Sequence, residues 1–138
     1  MKKKVMILAA QFGNDFDLAK SLESKLENIC EILQPVPGMP IHRWNHIAIN
    51  EADFILVFCT KDSLSGYNIS AIKIMLERES LEGGSERIIP ITFGYSINEC
   101  ISAPVLSDIR VALNSRVPLV ARNSFDAKEI ERLTRSIT

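Results

Sequence analysis

His42 and His46 are the only histidines in the chain, and they stand four residues apart. On a helix that spacing would set both rings on one face, as a metal pair requires, but a metal site needs a third ligand and a supporting shell. No H-E-x-x-H surrounds them, so they read as surface or loop-packing histidines. The cysteines, Cys30, Cys59 and Cys100, are odd in number and widely spaced, which argues against a disulfide framework and against tetrahedral zinc. Cys59 lies inside an apolar run and reads as a small buried hydrophobe. Ser63 and Ser65 have no evident base beside them, so a nucleophilic triad has no support. The stretch Ala10 to Asp15 holds Phe12, Gly13 and Asn14. A glycine lets the backbone approach a ligand, and an aromatic stacks on a base or ring. The same residues equally make a plain turn with Phe12 in the core. Neither G-x-G-x-x-G nor G-x-x-x-x-G-K-[ST] occurs, so Rossmann-type dinucleotide binding and P-loop NTPase chemistry are not supported.

These residues must be positioned by alternating elements. Val5 to Ala10 is a short continuous apolar run, as for a strand covered on both faces. Leu18, Leu22, Leu26 and Ile29 then follow helical spacing, with Asn14 or Asp15 available as a cap. Glu31 to Gln34 reads as a weak second strand, and Pro35, Pro37, Gly38 and Pro40 force a loop. Ile41 to Asn50 reads as a helix with Ile41, Trp44, Ile47 and Ala48 on one face. Phe54 to Cys59 is the clearest buried strand in the chain. A polar loop, Thr60 to Gly66, leads to a helix bearing Ile69, Ile72, Met75 and Leu76. Arg87 to Phe93 is a fourth strand in which Pro90 removes a ladder donor, a sign of a demoted strand or a bulge. After the loop Gly94 to Pro104, Val105 to Leu113 suggests a helix and Val117 to Ala121 a fifth strand. Ser124 then caps a last helix with Ile130, Leu133 and Ile137. This alternation implies an α/β fold: a five-stranded parallel sheet with helices on both faces. In such a sheet ligands bind beyond the carboxyl ends of the strands, here between strands one and three in flavodoxin-like order.

A length of 138 residues favours one domain, residues 1–138, and 46% hydrophobic content is enough to bury a core. The last helix stops close to Thr138, compatible with excision from a longer protein. The net charge of -1, from 16 basic and 17 acidic residues, creates no long-range field for nucleic acid or anionic lipid. Lys2 to Lys4 reads as a solubilising flank. No stretch is apolar enough to span a bilayer, and the start lacks a signal-peptide core, so a cytoplasmic, reducing location is expected. A phosphate-accepting receiver would need carboxylates after strands one and three. Those positions read Ala9-Ala10-Gln11 and Cys59-Thr60, and Arg122 stands where a lysine would be expected.

The run from Asn50 to Tyr67, NEADFILVFCTKDSLSGY, resembles the Toll/interleukin-receptor (TIR) family. That family ends a short helix in alanine or serine plus aspartate, then has a buried strand, a serine-rich loop and an aromatic opening the next helix. Arg87-Ile88-Ile89-Pro90-Ile91 is similar to its following strand, and Pro37 to Pro40 falls where it has a contact loop used in assemblies. Ala10 to Asp15 takes the place of its first loop without the usual serine-histidine pair. The likeness covers nearly the whole chain and lies in the order of these motifs.

The resemblance implies an NAD+ glycohydrolase or ADP-ribose cyclase in immune, antiphage signalling. NAD+ would be its substrate, with no cofactor and no metal, and TIR–TIR self-association would be expected. Phe12, Gly13, Asn14, Trp44, Ser63 and Tyr67 would then bind substrate. The family's catalytic glutamate falls four positions after the aromatic, at Ala71. A carboxylate there would hold the ribose hydroxyls and stabilise an oxocarbenium-like centre as nicotinamide leaves. Alanine supplies no such group, so the chain as written would be inactive. Ala71 stands either for a natural loss, leaving an assembly and interaction module, or for an engineered Glu→Ala exchange, which the intact-looking loops favour. Glu77 and Glu79 lie too far along the helix to substitute. Nucleoside deoxyribosyltransferases are also loosely similar over Met1 to Gly13 and Ala52 to Ile72, and they too would want a carboxylate at Ala71.

Overall fold

A computed structural model of the chain describes residues 2–64, 68, 70–74, 88–93, 119–120 and 127–137. The strands β1 (Lys3–Leu8), β2 (Cys30–Ile32), β3 (Phe54–Phe58) and β4 (Ile88–Thr92) form one parallel sheet. Chain order is not spatial order: β2 lies on one side of β1 and β3 on the other, with β4 beyond β3. A two-residue strand, β5 (Leu119–Val120), pairs parallel with Ile91 and Thr92 at the outer side of β4. Among the described residues the helices are α1 (Gly13–Leu26), α2 (Ile41–Glu51), α3 (helical residues 70–74) and α4 (Ala127–Ile137).

Parallel strands are apolar on both faces because helices cover both. β3 shows this most clearly: Ile55, Leu56, Val57 and Phe58 are all fully buried. One apolar cluster joins Val5, Leu56, Phe58 and Ile91 to Ala19, Leu22 and Leu26 of α1 and to Leu133 and Ile137 of α4. The other joins Met6, Leu8, Ile55 and Val57 to Trp44, Ala48 and Ile49 of α2 and to Ala71 and Ile72 of α3. Successive strand residues thus feed opposite layers, as the pleat requires.

Three features differ from the sequence expectation. β1 ends at Leu8, not Ala10, because its ladder with β3 closes at Leu8 opposite Val57 and the Ala10 amide bonds a side chain instead. Pro90 neither ends β4 nor bulges it. The Ile91 carbonyl accepts from the Cys59 amide at 2.9 Å, so Ile91 faces β3 and its neighbour Pro90 faces the other edge. The missing N–H is therefore not one that β3 needs, and the register stays continuous from Ile88 to Ile91. Neither Asn14 nor Asp15 caps α1. Phe12 is its N-cap residue, extended and without a side-chain cap bond, and Gly13 enters the helix at φ +67°, a conformation that favours glycine. The expected helix at Val105 to Leu113 and the Ser124 cap lie outside the described residues.

Leu56 fills the centre of the sheet, and Val36 is one of the exposed apolar residues. Leu56→Ala is expected to lower the unfolding free energy by about 2–5 kcal/mol in urea titrations. Val36→Ala should change it by no more than about 0.5 kcal/mol.

Candidate functional site

The carboxyl ends of β1 and β3 are tied together by a buried polar knot. Asp15 lies in the first turn of α1, on the stripe that continues through Ala19, Leu22 and Leu26, and so points inward. Its Oδ2 accepts from the Ser63 hydroxyl at 2.6 Å and from the Thr60 hydroxyl. Thr60 Oγ1 in turn accepts from the Ser63 amide at 3.1 Å, and Ser63 Oγ accepts from the Ala10 amide at 2.9 Å. Asp15, Thr60 and Ser63 are all buried. A buried carboxylate is tolerable only when it is hydrogen-bonded, and here both donors come from the loop after β3, with Ser63 relaying the contact to the Ala10 amide of the loop after β1.

Beside this knot is a hollow between α1, the upper half of β1 and the start of α2. Leu8, Ala9, Phe16, Trp44 and Asn45 line it, with Gln11 and Asn68 among the polar residues. The volume enclosed by the described residues is about 60 Å³. That is room for a few waters or a small group, well below the few hundred Å³ that take a whole drug-sized ligand. Gln11 donates to the Ala9 carbonyl at 3.3 Å, and Asn68 donates to the Ser63 carbonyl at 2.9 Å. Asn45 is buried, and its Nδ2 has no hydrogen-bond partner among the described residues.

The expected site residues separate into groups. Trp44 lines the hollow. Phe12, Gly13 and Asn14 are exposed at the start of α1 and do not line it. Phe12 is 62% exposed, so it is not the core residue of a plain turn. Ser63 is buried with its hydroxyl already engaged as donor and acceptor. Ala71 is 2% exposed and belongs to the apolar cluster with Leu8, Trp44, Cys59 and Leu64. Tyr67 lies outside the described residues, as do Ser65, Glu77, Glu79, Cys100 and Arg122. His42 and His46 are both exposed on α2, and no cluster of three or more His, Cys, Asp or Glu residues suited to a metal occurs among the described residues. No described helix is long and apolar enough to cross a membrane. Cys30 and Cys59 are buried thiols outside any disulfide, donating to the Leu26 and Val57 carbonyls. Burial pushes the Cys30 thiol up from its ordinary range, with Lys2 opposing weakly, so it is a poor nucleophile.

Asn45 gives no signal by motif, and Asp15 reads from the sequence only as a helix cap. Both interrupt an apolar stripe: 15, 19, 22 and 26 in α1, and 45, 48, 49 and 52 across the end of α2. A polar residue on a buried stripe is the signal that would have found them. The chain matches no protein-family model and no curated protein.

Removing the knot should be felt in stability. Asp15→Ala leaves two buried hydroxyls without their acceptor and is expected to cost about 1–3 kcal/mol. Combined with Ser63→Ala it should show a coupling of about 0.5–3 kcal/mol in a double-mutant denaturation cycle. For Cys30, the raised pKa means less thiolate at mildly alkaline pH than in the unfolded chain. Iodoacetamide at pH 8 should therefore label Cys30 slowly in the folded protein and rapidly in urea, as read by peptide mass analysis.

Proposed function

We propose that the chain is a TIR-type signalling domain that works by self-assembly, with a nucleotide such as NAD+ as a ligand of its carboxyl rim and without cleaving it. In this reading the sheet is the five-stranded one in flavodoxin-like order, β2-β1-β3-β4-β5, and the domain belongs in the cytoplasm. The observation that carries it is the burial of Ala71. Related enzymes hold a carboxylate at the matching place, whereas here the side chain belongs to an apolar cluster. An unpaired carboxylate in such surroundings is strongly disfavoured. An alanine that completes a core is what a natural non-catalytic domain needs.

Two further features support assembly. Phe12 and Val36 are the exposed large hydrophobics among the described residues. Phe12 follows the carboxyl end of β1 and Val36 that of β2, so both belong to the same rim. Val36 sits in the loop 35–40, where the Met39 amide closes a turn onto the Val36 carbonyl at 3.1 Å and Gly38 takes φ +84°. That turn holds a valine outward between two prolines, a rigid apolar contact of low ordering cost.

The reading is tested on the full chain and on Ala71→Glu. Neither is expected to release nicotinamide from NAD+ above background, and Ala71→Glu should melt at a lower temperature than the chain as written. Nicotinamide release by Ala71→Glu alone would restore the NAD-cleaving enzyme reading. Independently, light scattering should show oligomers that grow with concentration, and Val36→Asp should reduce them to monomers while leaving the melting temperature unchanged.

A further inference from the structure

We infer that the hollow beside β1 is a binding site for a small uncharged carboxamide group, primary or cyclic, held between the Asn45 side chain and the backbone of Ile7. The inference concerns a pocket and a ligand chemistry, and it stands whether the domain assembles or cleaves.

The first half of the site is a donor without a partner. Asn45 is 4% exposed, lines the hollow, and leaves its Nδ2 unbonded among the described residues. An amide group shut away from water without a hydrogen bond destabilises a fold, so its retention on a buried stripe calls for an outside acceptor.

The second half is an acceptor, and it follows from the sheet register. β2 pairs with β1 only from Lys3 to Val5, where Val5 stands opposite Ile32. The Val5 carbonyl accepts from the Leu33 amide at 2.9 Å. Residues two apart on a strand face the same edge, so Ile7 turns its carbonyl to this side as well. The residue that would donate to it next in the ladder is Pro35, which has no N–H. The ladder stops there for a covalent reason, and Ile7 and Pro35 both line the hollow.

A ligand that completes both halves must accept from Asn45 and donate to Ile7. A carboxamide edge does this, with its carbonyl toward Asn45 and its N–H toward Ile7. A carboxylate fails, because it lacks the donor, and Lys20, the cation that lines the hollow, is already paired with Glu23 at 3.3 Å. The Trp44 ring lines the same hollow and gives a flat apolar wall. The enclosed volume, about 60 Å³, suits a carboxamide and its immediate substituent.

The test uses the full chain labelled with nitrogen-15, titrated with acetamide, uracil and N,N-dimethylacetamide. Acetamide and uracil are expected to give saturable shifts of the Asn45 side-chain and Ile7 amide resonances. N,N-dimethylacetamide, which accepts but cannot donate, should bind at least tenfold more weakly. Asn45→Leu should abolish the response to all three while the melting temperature stays equal or rises, because an orphaned polar group has been removed. The absence of saturable shifts from acetamide and uracil would overturn the inference and leave the hollow to water. So would equal binding of all three probes, or a melting temperature several degrees lower in Asn45→Leu, which would mark Asn45 as a structural residue.

Discussion

The carboxylate of Asp15 is the constraint on which the rim of this sheet depends. β1 and β3 are held side by side by their ladder only as far as Leu8 and Val57. Beyond that point each chain turns away toward a helix, and backbone bonds no longer fix one loop against the other. Asp15 takes over there, gathering the hydroxyls of Thr60 and Ser63, while Ser63 takes the Ala10 amide. The Thr60 and Ser63 hydroxyls each donate and accept in this ring, so neither is left as a free nucleophile. The hollow lies beside a fixed rim because of this ring.

Much of the fold was legible because two periodicities govern it. Continuous apolar runs such as Phe54 to Phe58 mark strands buried on both faces, and the stripe through Leu22 and Leu26 marks α1. Where the reading slipped, the cause was tertiary. Ala10 looks like the end of a strand, but its amide is claimed by Ser63 across the rim. Pro90 looks like a strand breaker, but its bare nitrogen faces away from the partner that matters. Ser63 looks like a ligand-binding hydroxyl, yet Asp15 has already claimed it. None of these pairings is local in sequence, so propensity and spacing do not contain them.

The burial of Ala71 follows from where the helix enters the sheet. Asn68, at the hollow, and Ala71 are three residues apart, about one turn. In that one turn the chain passes from a polar opening to the apolar cluster shared by α2 and α3. A side chain at this depth is shaped by packing. An alanine lets the helix sit close to Trp44 and Leu64, and a longer acidic residue would have to push outward to reach water or a ligand.

Asp15 and Asn45 set two outcomes of the same local event side by side. Each is a polar residue on the buried stripe of a helix, and each faces the same end of the sheet. At Asp15 the fold supplies two hydroxyl donors from the loop after β3, and the residue is explained by the structure alone. At Asn45 the described residues supply none to Nδ2, although Ile7 lines the same hollow. Their difference lies in β2. Had Pro35 carried an N–H, the ladder could have run on past Ile7 and covered the place where the hollow now opens. A proline that ends an edge strand two residues early thus turns a strand-pairing position into a concave surface with unused hydrogen-bonding capacity. That is the combination by which a fold exchanges a little of its own stability for recognition.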